Sequence, residues 1–544
     1  MKILQELLSE LEENLQKYEI FEEIDFKISK TADFDYQINN LVKYQNHEKI
    51  NSISENFSSI LSQSNNIEKF EFADNLFINL KLNLNKISSF INNLEETNLV
   101  QDSKRILIDY GGPNIGKPLH VGHLRSLNIG RSLKKLNELI GNKVTTDIHL
   151  GDWGMPVAQI ISFCELNEID IKSLSADQLI DIYPQSADLY KNSEEFKKQA
   201  QIINKKLNQS EKEVINKWEF LRNISIEDLK KTLKILNHDF DLWHGESSVN
   251  HLIEPMIESL KKEGKVDYDE GALVSTEDAD PKILITKSDG SYLYLTTDLA
   301  TILDRLDSND FDTTLYVVDS RQKLHFEQLF KTVEYFNFEK RDFIHVDFGT
   351  INDEEGKPFK TRDGGTKKLL SLYDDTFKYI NKINENLDNE TIHKLTNTVL
   401  TYSDLLTNRK TDYKFNIKKF TNISGKTGIY IQYAQVRAKK ILNKSKINLD
   451  NKELSISTIS ERNLIISLLN LELYIKQSIT FNEPHHLADY VYTVAKKMNA
   501  FYENEKILNL EYKEASQKLF LLEYSLHILS KGMYCLGMDP VKKL

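Results

Sequence analysis

The sequence predicts an α/β protein in three parts: a doubly wound, parallel-sheet domain over residues 101–375, a small α+β domain before it (1–100) and an α-helical bundle after it (376–544). Three observations carry this reading. Residues 105–110 contain the continuous apolar run Ile106-Leu107-Ile108, the pattern of a strand buried on both faces. A Gly/Pro break, a helical repeat and a second strand-like run follow it, which together make a βαβ unit. Beyond residue 376 strand-like runs give way to apolar residues at helical spacing. At 544 residues the chain also exceeds what one hydrophobic core can organise.

Taken in order, residues 2–18 form an amphipathic helix with Leu4, Leu8, Leu11 and Leu15 on one stripe. A helix near 47–65 and strand-like pieces at 70–72 and 76–82 complete the first domain. In the second, the strand at 105–110 stops at Gly111-Gly112-Pro113, and Leu124, Leu127, Ile129, Leu133, Leu136 and Ile140 mark a helix ending at Gly141. The next strand, 143–150, runs into Gly151-Asp152-Trp153-Gly154. Residues 165–240 are helical and strongly charged, an insertion into the sheet. The sheet is expected to resume with 239–247, 282–290, 291–300 and 314–319. Helices are then expected at 376–407, 426–444, 460–478, 484–506 and 510–535.

Composition narrows the class. With 40% hydrophobic and 28% charged residues the chain reads as globular, and no apolar run approaches the ~20 residues of a membrane span. The acidic N-terminus does not look like a signal peptide, so a cytoplasmic protein with no membrane partner is expected. Cys164 and Cys535 stand alone, without the clustering a disulfide framework or structural zinc needs, so no metal site is expected. The net charge of −12 conceals an asymmetry: residues 1–375 carry −20 and residues 376–544 carry +8. A polyanion-binding face and a solvated lysine-rich helical face account for that basic half equally well.

The densest chemical signal is Asp109 to Arg125, DYGGPNIGKPLHVGHLR. It places His120 and His123 at a helix start, where unsatisfied N–H groups and partial positive charge suit a phosphate. Alone, His-x-Gly-His is weak evidence, because paired histidines on a helix are more often surface or core. The pattern resembles the nucleotide-binding motif of class I aminoacyl-tRNA synthetases. The longer strings Pro113 to Ser126 and His149 to Gly154 resemble, more narrowly, the bacterial-type arginyl-tRNA synthetases, and the resemblance extends over essentially the whole chain.

That resemblance implies a Rossmann-like class I catalytic domain, an N-terminal additional domain touching the tRNA elbow and a C-terminal anticodon-binding bundle. The implied reaction is ATP-dependent arginyl-adenylate formation followed by transfer to the 3′-terminal adenosine of tRNA(Arg), with Mg2+ entering with ATP. The partners are then tRNA(Arg), L-arginine and ATP, and a monomer is expected. His120, His123 and Lys117 would stabilise the phosphate in flight, with Gly122 opening room for the nucleotide. The loop that usually reads Lys-Met-Ser-Lys-Ser is replaced here by Lys360 to Lys368, from which Lys360, Arg362, Lys367 or Lys368 could reach a phosphate. Asp109, Asn114, Tyr294, Asp298 and Gln322 fall at positions implied for the amino acid, Asp298 as the guanidinium anchor. Tyr36, Gln37 and Asn39 would read the tRNA elbow, and Tyr430, Tyr433 and Arg437 the anticodon side; for each aromatic, a core position is the plain alternative. A small-molecule nucleotidyltransferase and an inactive tRNA-binding relative are the rival functions. The basic C-terminal region counts against the first and the intact His120, Gly122 and His123 against the second.

Overall fold

The computed structural model describes residues 2–29, 31, 33–86, 103–276, 282–288, 290–308, 311–359, 367–445 and 456–544. Its N-terminal part is a helix (Lys2–Gln16), β1 (Phe26–Ile28), β2 (Tyr36–Ile38), a helix (Ile50–Gln63), β3 (Ile67–Phe72) and β4 (Ile78–Leu82). The strands form one antiparallel sheet in the order β1-β2-β4-β3. The first helix buries Leu4, Leu7, Leu11 and Leu15, so its apolar stripe is rotated from the expected one by the exchange of Leu7 for Leu8. This domain is tied to the C-terminal bundle by Arg462 on Asp35 and by the Tyr36 hydroxyl, which donates to Asn470 Oδ1 at 3.0 Å.

The central sheet comprises β5 (Arg105–Tyr110) and β6 (Lys143–Asp147), with two strands that arrive much later in the chain. Between them a separate three-stranded antiparallel sheet forms from β7 (Val266–Asp269), β8 (Ala272–Ser275) and β9 (Leu284–Thr286). The central sheet is then completed by β10 (Thr313–Val317) and β11 (Asp342–His345), in the order β11-β10-β5-β6 and parallel throughout. The chain leaves β5 for β6 on one side and fills the other side with β10. The strand order therefore reverses at β5, and the crevice beyond the carboxyl ends of β5 and β10 is where a doubly wound sheet binds ligands.

Two expected sheet segments are corrected. Residues 239–247 contribute only isolated bridges, Asp147 to Leu242 and Leu150 to Gly245, before a helix begins at Glu246 (Glu246–Lys262). The run 282–300 splits between β9 and a helix, Tyr294–Asp307. The aromatic and threonine content of 292–297 imitates a strand, but Leu299, Ile302 and Leu306 fall at spacings of three and four and are all buried.

The insertion consists of helices Ala176–Asn192, Glu194–Asn208 and Lys212–Ile235. The C-terminal helices are Leu369–Ile383, Asn389–Leu405, Gly428–Ser445, Ile459–Leu469, Leu471–Thr480, His485–Glu505 and Tyr512–Leu536, the expected 460–478 helix being divided at Asn470. The histidine helix His123–Leu139 lies between this bundle and the sheet and buries twelve of its residues, Arg125, Asn128 and Arg131 among them. Arg125 Nε donates to Asp404 Oδ1 at 2.9 Å, Asn128 Nδ2 to Asp404 Oδ2 at 3.1 Å and Arg131 Nη2 to Thr401 Oγ1 at 2.7 Å. Arg125 and Asn128 stay buried because the bundle offers them partners.

Candidate active site

β5 ends in a left-handed turn, with φ +95° at Gly111 and +48° at Gly112, and the following loop carries Asn114, Lys117 and His120 to the mouth of the crevice. Ser126 fixes the geometry, since its hydroxyl donates to Val317 O at 2.7 Å and accepts from Gly111 N at 2.8 Å. One side chain thus joins the ends of β5 and β10 to the histidine helix. The rings of His120 and His123 lie 3.9 Å apart. The Nδ1 of His123 lies 3.0 Å from His120 N and 3.2 Å from His120 O, and the Nδ1 of His120 accepts from Gly122 N at 3.1 Å, so the His120 ring keeps its proton on Nε2. Burial, and for His123 the neighbouring ring, hold both below the usual imidazole range, His123 down to about 3. Both are neutral at physiological pH.

Gly122 is needed by the motif itself, because a Cβ there would lie 2.8 Å from His120 Cε1. Lys117 is exposed, with its ammonium 4.4 Å over the ring of Tyr183 from the insertion and near enough for its charge to disfavour protonation of both histidines. A surface pocket of about 420 Å³ opens beside this pair, lined also by Gly116, Pro118, Ile180, Pro184, Ala187, Asp188 and Lys191. The second loop docks on the first: Val121 N donates to Lys367 O at 3.0 Å, Leu369 N to Leu119 O at 2.8 Å, and His120 bridges to Lys368. Lys367 is engaged by Asp375 at 2.5 Å, which leaves Lys368 the better placed of the two. Lys360 and Arg362 lie outside the described residues. The sequence reading missed Arg321, 78% exposed on the turn after β10, whose charge also reaches His120.

The other side of the crevice is acidic. Asp109 lies at the end of β5 but points its carboxylate at Arg305, Oδ2 to Nη2 2.7 Å, and the same Nη2 donates to Asp147 at 3.0 Å. Asp109, Asp147 and His149 are close enough to share a cation, and Arg305 is the cation beside two of them. The placement of Asp109 against the amino acid is therefore corrected, because its charge is spent internally.

Asp298 lies on the helix Tyr294–Asp307 and accepts from His325 Nε2 through Oδ2 at 2.6 Å. Beside it is a residue the sequence reading placed in a strand, Glu246. Burial first, and the charge of Asp298 second, raise its carboxyl to about 7. Its position follows from Asp152 of the Gly-Asp-Trp-Gly turn, which accepts from Ser247 N (2.9 Å), Ser247 Oγ (2.8 Å) and Arg222 Nε (2.7 Å) and so pins the helix start. Two carboxylates close enough for one to raise the other's proton affinity form, in a crevice, a receptor for a cation with more than one donor. Tyr294 is 76% exposed at this mouth, and Gln322 is exposed on the turn before the helix Lys323–Tyr335. Asn114 is exposed at the mouth, bridging to Gly151 so closely that a Cβ there would strike its Oδ1.

Against known proteins, residues 86–417 match the family model described as tRNA synthetases class I (R), catalytic domain, and residues 431–544 match the DALR anticodon binding domain. The chain belongs to the class I (R) tRNA synthetases. It is 34% identical to an arginine–tRNA ligase of Alkaliphilus oremlandii and 33% identical to one of Agathobacter rectalis, in each case over 90% of both chains. Among solved structures, the arginyl-tRNA synthetase of Plasmodium falciparum superposes with a TM-score of 0.84 at 26% identity, over 100% of this chain and 99% of the other. The Thermus thermophilus arginyl-tRNA synthetase gives the same TM-score at 18% identity, over 99% of this chain and 100% of the other, a likeness of fold.

Within this synthetase the residues expected at tRNA are placed unevenly. Tyr36 is fully buried, stacked on Phe26 at 4.5 Å and bonded to Asn470, so stacking on a base is excluded. The reason is the alternation of β2, which turns Tyr36 and Ile38 inward and leaves Gln37 on the half-exposed face, with Asn39 half-buried just past the strand end. Gln37 Nε2 donates to Asn79 Oδ1 at 3.2 Å and Asn39 Nδ2 to Asp25 Oδ2 at 3.3 Å. On the helix Gly428–Ser445, Tyr430 packs on Tyr492 at 5.4 Å. Arg437 lies between Tyr433 and Tyr502, 5.9 and 4.4 Å from their rings, with Glu503 at 2.7 Å. The grouping is the expected one, but its cation is already partnered. Lys439, Lys440 and Lys444 are exposed charges of that helix.

Proposed function

We propose that this chain attaches L-arginine to tRNA(Arg), through an arginyl-adenylate formed from ATP. The observation that carries the substrate is the pairing of Glu246 with Asp298. A planar guanidinium can donate to both at once, whereas a point-like ammonium cannot span them with the same geometry. Tyr294 flanks that slot, and Asn114 and Gln322 hold the α-amino end. Asp109 supports the sheet edge through Arg305 instead of touching substrate.

ATP enters as its Mg2+ complex. The arginine carboxylate attacks the α-phosphorus and pyrophosphate leaves; a hydroxyl of the 3′-terminal adenosine then attacks the acyl carbon, forming the ester and releasing AMP. His120 and His123 donate Nε2–H to the phosphoryl oxygens as charge builds, and Lys117 and Lys368 supply positive charge to the departing phosphates. Neutral donors already fixed by their Nδ1 contacts need no rearrangement during the step. The basic C-terminal bundle, with Gln37 and Asn39 at the end of β2, bears the tRNA.

The test is ATP–pyrophosphate exchange with each of the twenty amino acids, with and without tRNA. Exchange supported by arginine alone is expected; exchange supported equally by lysine would remove the guanidinium reading.

A further inference from the structure

His325 is used by no step above, yet it makes the shortest polar contact of the acidic slot. Its Nε2 lies 2.6 Å from Asp298 Oδ2, and the two residues come from different helices, Tyr294–Asp307 and Lys323–Tyr335. Neither is sealed in the core: the side chain of His325 is 27% exposed and that of Asp298 is 36% exposed, so both line the open mouth. On the protein side, the His325 ring meets Phe326 edge-on at 5.6 Å, and Phe326 stacks on His345 at 4.5 Å, whose Nε2 contacts Val318 O at 3.0 Å. The imidazole therefore stands on a packed aromatic base, as a side chain must if it is to orient another.

An aspartate on a helix can swing through its rotamers, and a carboxylate offers two oxygens of equal chemistry. A donor held on one of them removes both freedoms. We propose that His325 is a positioning residue for substrate recognition: it fixes Asp298 by its Oδ2, so that only Oδ1 faces the guanidinium and the second donor must go to Glu246. This rests on the reading of Asp298 as the guanidinium anchor and adds a specificity rule to it. A cation must satisfy two carboxylates on two helices, and a single-point cation gains only half the contacts.

The test is steady-state aminoacylation by the full-length enzyme carrying His325→Leu, His325→Gln or Asp298→Asn, or Asp298→Asn together with His325→Leu. Loss of a charge-assisted hydrogen bond predicts that His325→Leu raises KM for arginine about ten- to a hundred-fold, with kcat and KM for ATP within about two-fold of wild type. His325→Gln, which keeps an N–H donor at similar reach, recovers most of the loss. In the Asp298→Asn background, His325→Leu adds nothing. A purely structural role would instead lower kcat and disturb ATP along with arginine, and that outcome overturns the proposal. So does an unchanged KM for arginine in His325→Leu while Asp298→Asn raises it. If Asp298→Asn itself leaves KM for arginine unchanged, the anchor reading fails and takes this proposal with it.

Discussion

His123 carries no charge at neutral pH, and that single fact shapes what its substitution should do. Its lowered proton affinity means that no ionisation of the His123 imidazole should appear in the rate profile between about pH 6 and 8. His123→Ala should lower kcat for adenylate formation by about a hundred- to a thousand-fold, the usual cost of one lost transition-state donor, with arginine affinity nearly intact. Glu246 should supply the pH dependence instead. Its carboxyl is raised to about 7, so below that pH it is protonated and pairs poorly with a cation. KM for arginine is expected to fall as pH rises through 7, and Glu246→Gln to abolish that slope; an unchanged slope would assign it elsewhere. The stability sign is opposite. The folded state holds a proton that the unfolded chain gives up near the ordinary glutamate value, so stability drawn from this group is present below that value and lost as pH rises through 7.

At the scale of elements, the site depends on how closely the histidine helix approaches β5. Gly130 permits this, since a Cβ there would lie 2.3 Å from the Tyr110 ring, and Tyr110 is itself locked against Phe240 at 4.4 Å. Gly130→Ala should therefore cost about 1–3 kcal/mol by forcing the helix outward, read as a lower midpoint in urea, with activity lost beyond what unfolding explains. The Gly-Asp-Trp-Gly turn works in the same way. Trp218 Nε1 donates to Asp152 O at 2.7 Å, and Trp153 meets Trp218 edge-on at 5.1 Å, so the insertion helices clamp the turn that positions Glu246. The first turn of the Glu246 helix is thus set by contacts 95 residues away, Ser247 on Asp152.

Over the whole molecule, the catalytic helix is joined to the bundle by Arg125 and Asp404, both almost completely buried. Asp404→Ala should cost about 3–5 kcal/mol, because it strands a guanidinium in the interior, while Arg125→Met with Asp404→Leu should recover much of that loss. Thermal unfolding of the two variants checks this. The N-terminal domain makes a different prediction. Tyr36→Phe removes the bond to Asn470 and should lower the melting temperature without changing tRNA affinity, whereas Gln37→Ala with Asn39→Ala should weaken tRNA binding in a filter assay and leave the melting temperature alone. The reverse result would return Tyr36 to the tRNA interface.

The sequence by itself determined the βαβ unit at 105–147, the histidine motif at its turn, the helical C-terminal half and the family to which the chain belongs. Those features are local: a continuous apolar run, a Gly/Pro break and a helical repeat act over ten to twenty residues, and motif residues have to be contiguous to form a loop. It misread 239–247 and 291–300 because aromatic and β-branched residues suit a strand and a buried helix start alike over so short a span. Tyr36 went astray for a related reason, since the face a strand turns inward depends on what covers it, here Asn470 at the junction of two helices more than four hundred residues later. Only the tertiary structure decided that Glu246 stands beside Asp298, that Arg305 takes up Asp109, and that His325 holds one oxygen of Asp298. Each of these pairs charges across distant segments, and a carboxylate's chemistry is set by its neighbours in space, about which its neighbours in sequence say nothing.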